Sequence, residues 1–287
     1  MLQATINGFF SGAIFGLVAV ALVLVYKGAR VFNFAQGEFG TVAAFAAWAL
    51  LERGVNIWLG LLGGIVAGLL FGLLLERFVV RPLLGASRVI LLVATAGVAI
   101  GVISLQIVLG EAEPRILPAL VGSDPIYVLG ATIFPQQIAI LVALAAVAVG
   151  LFLFFRTNLG LAILATSQDP MATRLMGINV KRISALVWGI AAGIGALAGV
   201  LQAGVLGFFT PGFMTSGILL ASFTGAVLGG MTSLPGAFVG GVLVGIAHNV
   251  GPELFPSFIA GSAELTVFGL LLLVLLVRPQ GLLGSEA

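Results

Sequence analysis

The sequence predicts an all-α protein, a polytopic bundle of transmembrane helices with about eight to nine spans. Three observations carry that expectation. Of the 287 residues, 61% are hydrophobic and only 8% are charged, against roughly 25% charged in a soluble protein. Apolar runs reach the length that crosses a bilayer as a helix, about 20 residues, and the mean hydropathy is +1.26. Basic residues also fall on one side when the runs are counted as crossings. Residues 1–287 read as one transmembrane domain, because no stretch remains for a sizeable soluble one.

The first run is Phe9–Tyr26. Met1 to Gly8 carries no charged side chain, whereas Lys27 and Arg30 follow the run. A cleavable signal has its positive charge before the apolar stretch. This run is therefore expected to stay as a permanent span that starts outside and ends inside.

Further apolar blocks recur at about residues 33–51, 57–75, 89–109, 134–155, 183–206, 217–231, 236–250 and 262–277. One crossing each puts the N-terminus outside and the C-terminus inside. Inside loops then hold Lys27, Arg30, Arg77, Arg81, Arg88, Arg156, Arg174, Lys181, Arg182 and Arg278, ten of the twelve basic residues. The outside keeps Arg53 and Arg115, with the acidic 110–133 loop carrying Glu111, Glu113 and Asp124. That asymmetry is what cytoplasmic loops show. Blocks 217–231 and 236–250 are short and serve equally as a re-entrant pair. The C-terminus stays inside in both readings.

In lipid, helices associate through small residues that let backbones approach. Gly60, Gly64, Gly68 and Gly72 repeat along one face. Gly97/Gly101, Gly189/Gly193, Gly195/Gly199, Gly225/Gly229, Gly236/Gly240 and Gly241/Gly245 have the same spacing. It suits tight bundling and contact with another subunit alike.

Several chemistries are missing. Cysteine is absent, which excludes thiol chemistry. One histidine cannot build a multi-histidine zinc site. The P-loop needs Gly-Lys-Ser/Thr, and the only lysines stand in Lys27-Gly28 and Lys181-Arg182. His248 lies near the outer end of its block and reads as interfacial or hydrogen-bonded. The net charge of +2 gives no argument for nucleic acid. An enzyme is not expected, and a gradient-driven carrier would bring more ionisable residues into its spans. Glu38 is the one carboxylate clearly inside a block, with Glu264 close to an outer end.

Glu38 stands in Val31-Phe32-Asn33-Phe34-Ala35-Gln36-Gly37-Glu38-Phe39-Gly40, on the order of 10 Å deeper than Arg30 at 1.5 Å per residue. A carboxylate at that depth is costly and reads as functional. On a wheel Asn33, Gln36, Gly37 and Gly40 share one face, while Glu38 lines up with Phe34, Thr41 and Phe45. One face is thus a candidate path or packing surface, and Glu38 either makes a structural ion pair or helix contact or acts directly in gating or on substrate.

Residues 156–182 form the longest inside stretch and are too polar to cross. Asp169 before Pro170 is an N-cap followed by proline at the first helical position, and Gly177 suits the C′ position. The enclosed helix, Pro170–Met176, is about two turns long. It carries Met171 and Leu175 one turn apart, beside Arg174. So short a helix is marginal alone and is expected to dock on something: lipid, the bundle or a cytoplasmic partner.

Together these stretches resemble a known family. Val-Phe-Asn-Phe-Ala-Gln-Gly-Glu-Phe at 31–39 resembles the second span of branched-chain amino acid ABC transporter permeases. So do Arg156-Thr-x-x-Gly160, Ala165-Thr-x-x-Asp169 and Gly177-Ile-Asn179. Ala198-Gly199, the run from Val227 to Gly241 (VLGGMTSLPGAFVGG) and the tail from Arg278 to Gly284 (RPQGLLG) complete the set, in order, over about residues 5–284. The chain looks like the shorter of the two permease types of such systems.

The resemblance implies a half-channel in the bacterial inner membrane. It would pair as a heterodimer with a second related permease, two cytoplasmic ATPase subunits that use ATP and Mg²⁺, and an extracytoplasmic solute-binding protein. No cofactor is implied in this chain. The coupling element falls in the 156–182 loop, with Arg156, Gly160, Asp169, Pro170, Met171, Arg174, Leu175 and Gly177 as its candidate residues. The loop departs from the Glu-Ala-Ala-x-x-x-Gly form of other importer permeases, so which side chain enters the ATPase groove is open. The outer segment 207–217, with Thr210, Pro211 and Gly212, reads as a gate or binding-protein contact, or as a connector built on Pro-Gly turn chemistry. The rivals are a related importer for urea or short amides, a stand-alone facilitator and a gradient-driven carrier. Aquaporin-like Asn-Pro-Ala repeats are absent.

Overall fold

Helix α1 (Leu2–Ala29) forms the axis of the protein. Almost every side chain from Ala13 to Val25 is buried, because the helix is apolar all round and is packed on several sides. The computed structural model describes residues 1–110, 112–122, 124–128, 130–255 and 261–284. Glu111, expected in the acidic outer loop, lies outside the described residues.

α1 ends at Arg30, whose φ of 54° is left-handed, and the chain turns back into the bundle as an irregular segment. α2 (Gln36–Leu51) and α3 (Ile57–Leu75) follow. α3 continues as a π-helical stretch, Glu76–Val80, and a 3₁₀ turn, Arg81–Leu83. Next come α4 (Arg88–Gly110), α5 (Pro135–Phe154), α6 (Asn158–Gln168), α7 (Pro170–Leu175) and α8 (Val180–Leu206). A π-helical turn, Thr215–Leu219, leads into α9 (Leu220–Gly229), then α10 (Leu234–Leu254) and α11 (Ser262–Val277).

The apolar blocks become helices. Among the described residues, six are long and apolar enough to cross a membrane: α1, α3 with its extension to Leu83, α4, α5, α8 and α10. The protein is a multi-pass membrane protein. The other three blocks make shorter helices. α2 and α11 have 16 residues each, about 24 Å at 1.5 Å per residue, against a hydrocarbon core of about 30 Å. The second block also starts later than expected, at Gln36 rather than Asn33. Asn33 therefore does not share a helical face with Gln36, Gly37 and Gly40.

Glycines set the helix contacts. A Cβ on Gly8 or Gly12 would sit 2.7 Å from the α10 backbone at Ile246 or Val242, so these glycines allow α1 and α10 to touch. On α3, a Cβ on Gly68 would lie 2.6 Å from Ala196 of α8 and 2.7 Å from the Phe39 carbonyl of α2. The Gly60–Gly72 face thus packs inward. Gly97 and Gly101 of α4 meet nothing within 4 Å among the described residues, so that pair does not build this bundle.

Two small antiparallel ladders interrupt the all-α pattern. β1 (Arg115–Ile116) pairs with β4 (Phe208–Phe209), and β2 (Ile126–Val128) pairs with β3 (Ala131–Ile133). The first ties the 110–133 loop to the segment after α8, and the Leu117 amide donates to the Gly207 carbonyl at 3.2 Å.

Candidate functional site

Residues 31–35 are non-helical backbone deep in the bundle, which is tolerated only where protein or a cavity satisfies it. Here the polar groups are supplied locally. The Phe34 amide donates to Thr95 Oγ1 of α4 at 3.2 Å. Asn33 Oδ1 accepts from the Ala35 amide at 3.0 Å, and Asn33 Nδ2 donates to Gln36 Oε1 at 3.2 Å. Gln36 Nε2 then donates to the Ala191 carbonyl of α8 at 2.9 Å. Ala191 lies about 16 Å along α8 from Val180, at 1.5 Å per residue. α2 therefore starts well inside the bundle.

Glu38, in the first turn of α2, is fully buried. Among the described residues no basic group pairs with it, and its contacts are to neighbouring helices. Gln106 Nε2 of α4 donates to its Oε2 at 2.8 Å, and Thr215 Oγ1 of the π-helical turn donates to its Oε1 at 2.6 Å. Gln106 Oε1 in turn accepts from the Gly212 amide at 3.1 Å. Gly212 has φ +69°, with the Ile103 side chain 3.0 Å from where a Cβ would lie. The backbone of Thr215 would be 2.8 Å from a Cβ on Gly37, so glycine there lets α2 meet the π turn.

Two candidate sets far apart in sequence thus join. Gly37 and Glu38 meet the segment around Gly212 through Gln106 and Thr215, while Asn33 and Gln36 bond each other and α8. Thr210 itself accepts from the Phe213 amide at 3.2 Å, and Pro211 fills the same turn. Gln106 and Thr215 escaped the sequence reading, although a lone amide in the apolar 89–109 block was a signal. Beside the network is a cavity of about 270 Å³, walled by Leu22, Phe32, Phe34, Leu219, Leu220 and Phe223, with Asn33 and Thr215 as its polar residues. Phe223 meets Phe32 edge-on, with ring centroids 5.3 Å apart.

The 156–182 stretch holds two helices rather than one. Thr157 caps α6, its Oγ1 accepting from the Gly160 amide at 3.3 Å. Gly160 is buried against the Phe154 carbonyl. Asp169 Oδ1 accepts from the Met171 and Ala172 amides at 2.8 and 3.0 Å. Pro170 opens α7 and Gly177, at φ +81°, follows its end. Met171, Leu175 and Met176 are 69%, 83% and 66% exposed. α7 thus presents apolar side chains outward while Thr173 faces in. Arg156 lies over the Phe152 ring, 4.3 Å from its centroid.

Arg174 joins Arg30 and Arg88 around a cleft of about 490 Å³ at this end of the protein. Arg30 Nε donates to the Ser167 carbonyl at 3.3 Å, linking the start of the 31–35 segment to the end of α6. Glu76 is a second buried carboxylate that sequence reasoning passed over. Arg81 holds it with hydrogen bonds of 2.8 and 3.3 Å and reaches the Lys181 carbonyl at the start of α8. His248 lies edge-on to Phe15, 5.9 Å between centroids, outside the network.

Residues 4–276 match the family described as branched-chain amino acid transport system / permease component. The chain is 36% identical to the high-affinity branched-chain amino acid transport system permease protein BraD of Pseudomonas aeruginosa, over 99% of this chain and 95% of that one. It is 32% identical to the corresponding permease LivH of Escherichia coli K12, again over 99% and 95%. A structure of PsaBC from Streptococcus pneumoniae in complex with Fab superposes with a TM-score of 0.52 at 15% identity, covering 96% of this chain and 91% of that one, which shows a shared fold. The chain belongs to the family of permease components of branched-chain amino acid transport systems.

Proposed function

We propose that the chain is the membrane permease subunit of an ATP-driven importer of branched-chain amino acids. In this reading the solute passes the cavity between residues 32–34 and the π turn before α9. One observation carries it: where two helices are broken, the buried network of Glu38, Gln106 and Thr215 stands beside a cavity walled by Leu and Phe, into whose lining Thr215 and Asn33 enter. Broken helices at depth place backbone and polar groups where a solute's charged ends need them. The hydrocarbon wall suits an aliphatic side chain, and about 270 Å³ is small beside the roughly 300–1,000 Å³ of drug-sized sites. A urea- or amide-sized solute would leave that wall unused.

The N-terminus is outside, the C-terminus inside, and the three shorter helices complete the crossings. The segregation of ten of the twelve basic residues supports this orientation. α7, with Met171, Leu175 and Met176 outward, docks on a cytoplasmic ATPase. The arginines at 30, 88 and 174 suit an acidic surface on that partner. ATP and Mg²⁺ act on the partners, since neither lysine-containing stretch here has P-loop form. Nucleotide turnover then biases an inward–outward equilibrium through the docked helix, by the difference in its contacts between the two states. A second related permease and an extracytoplasmic binding protein complete the assembly in the bacterial inner membrane.

The test is reconstitution. Vesicles holding this chain, its companion permease, the ATPases and the binding protein are expected to accumulate leucine, isoleucine or valine when ATP is supplied. Vesicles holding this chain alone are expected to accumulate none. Accumulation by the chain alone, or equal uptake of urea by the whole assembly, overturns the reading.

A further inference from the structure

A separate cavity of about 630 Å³ opens between the ends of α1 and α5, the start of α10 and Leu283. Its wall is hydrocarbon: Ala148, Leu151, Phe152, Phe155, Leu234 and Phe238 among others. The α5 face beside it, Val149, Phe152 and Leu153, is exposed along the bundle's outer side. Two cations, Lys27 and Arg156, stand in this lining, and no carboxylate does among the described residues.

Neither cation is neutralised by a neighbouring acid within the lining. Lys27 Nζ donates to the Thr232 carbonyl at 2.7 Å, which uses one of its three donors. Arg156 stacks on Phe152, so its guanidinium N–H groups stay available at the ring's edge. The N-terminus of α10, capped by Ser233 Oγ at the Gly236 amide, adds the positive end of a long helix at the same mouth.

We propose that this cavity binds one anionic phospholipid, an acyl chain lying against Leu151 and Phe238 and the headgroup phosphate between Lys27 and Arg156. Charge complementarity selects the occupant. A neutral lipid would fill the wall and leave both cations unanswered, whereas a free anion would answer the cations and leave the wall empty. Basic pockets between transmembrane helices at the cytoplasmic face bind anionic headgroups on this principle. The site stands apart from the solute cavity and from α7, and although Arg156 and Leu164 belong to the 156–182 stretch, its test reads lipid retention and not transport.

The chain in mild detergent is titrated with phosphatidylglycerol and bound lipid is counted by native mass spectrometry. One phosphatidylglycerol is expected to survive dilution, with phosphatidylcholine lost. Lys27→Gln with Arg156→Gln is expected to weaken retention roughly 30-fold, taking each basic residue near a headgroup at its usual worth. Glutamine keeps a donor on the Thr232 side, and an unchanged melting temperature of the variant checks that the α9–α10 turn is kept. Ala148→Trp fills the groove and leaves both charges; it is expected to expel the lipid as well. Equal retention of the two lipids overturns the proposal. So does undiminished binding in either variant, or displacement of phosphatidylglycerol by millimolar inorganic phosphate.

Discussion

The Glu38 carboxylate accepts from Gln106 and from Thr215, and Gln106 passes the chain of bonds to the Gly212 amide. Every donor faces an acceptor, so the direction of each bond is fixed. Glu38→Gln offers one acceptor where the carboxylate offers two: with its oxygen toward Gln106 its NH₂ meets the Thr215 hydroxyl, which then loses its acceptor, and an unmatched buried polar group costs about 1–3 kcal/mol. The variant is expected to insert and assemble normally while leucine uptake falls on the order of tenfold or more. Exchanging the two side chains, Glu38→Gln with Gln106→Glu, restores the pattern. The carboxylate moved to α4 then accepts from the amide moved to α2 and from the Gly212 backbone, and Thr215 donates to the new amide's oxygen. Uptake is expected to recover in the exchange variant. Uptake equal to wild type in the single variant removes Glu38 from transport. That Glu38 needs partners was legible from depth alone, since a carboxylate about 10 Å in is costly anywhere. The partners themselves were not, because they stand 68 and 177 residues away and no local pattern announces them.

Local chemistry made other elements readable. Asp169, Pro170 and Gly177 bound α7 because capping and positive φ involve only near neighbours. α6 was missed although Thr157 caps it in the same way; its apolar Leu159–Ala165 run is too short to register as a span, and polar residues flank it. Removing the cap by Asp169→Ala costs about 1 kcal/mol, enough to fray a six-residue helix. Gly177→Arg forces a long side chain onto a backbone at φ +81°. Both are expected to reduce co-purification of the ATPase while the chain still inserts, with the deletion of 170–176 abolishing it. Normal ATPase recovery from the deletion would exclude α7 as the contact. The α9–α10 hairpin gives a second contrast. A Cβ on Gly236 would overlap the Gly229 carbonyl, whereas one on Gly97 meets nothing within 4 Å among the described residues. Gly236→Ala is expected to lower the melting temperature in detergent. Gly97→Ala is expected to be neutral or raise it slightly, since alanine favours helix by up to about 1 kcal/mol. Spacing alone treated these glycines alike; only the packing distinguishes them.

For the whole molecule, the apolar blocks were legible because bilayer thickness imposes a length that composition records. The break at residues 31–35 was not, since Val31–Gly40 is apolar enough to continue a helix, and only Thr95, Ala191 and Asn33 itself make a broken one tolerable. Orientation follows from charge rather than from packing, because a helical bundle has the same contacts whichever way it faces. The chain has no cysteine, so single cysteines report on sidedness without background. Glu52→Cys and Asp124→Cys lie on exposed loops at one end, and Gly85→Cys and Gln168→Cys on exposed positions at the other, near Arg81, Arg88 and Arg174. In intact cells a membrane-impermeant maleimide is expected to label the first pair and spare the second, with all four labelled after permeabilisation. The reverse pattern would turn α7 toward the outside, beyond reach of any cytoplasmic ATPase, and the coupling role would fall with it. Labelling of both pairs in intact cells would instead mean that the crossings are miscounted. The short helices α2, α9 and α11 are where such an error would lie, since each rises less than the hydrocarbon thickness.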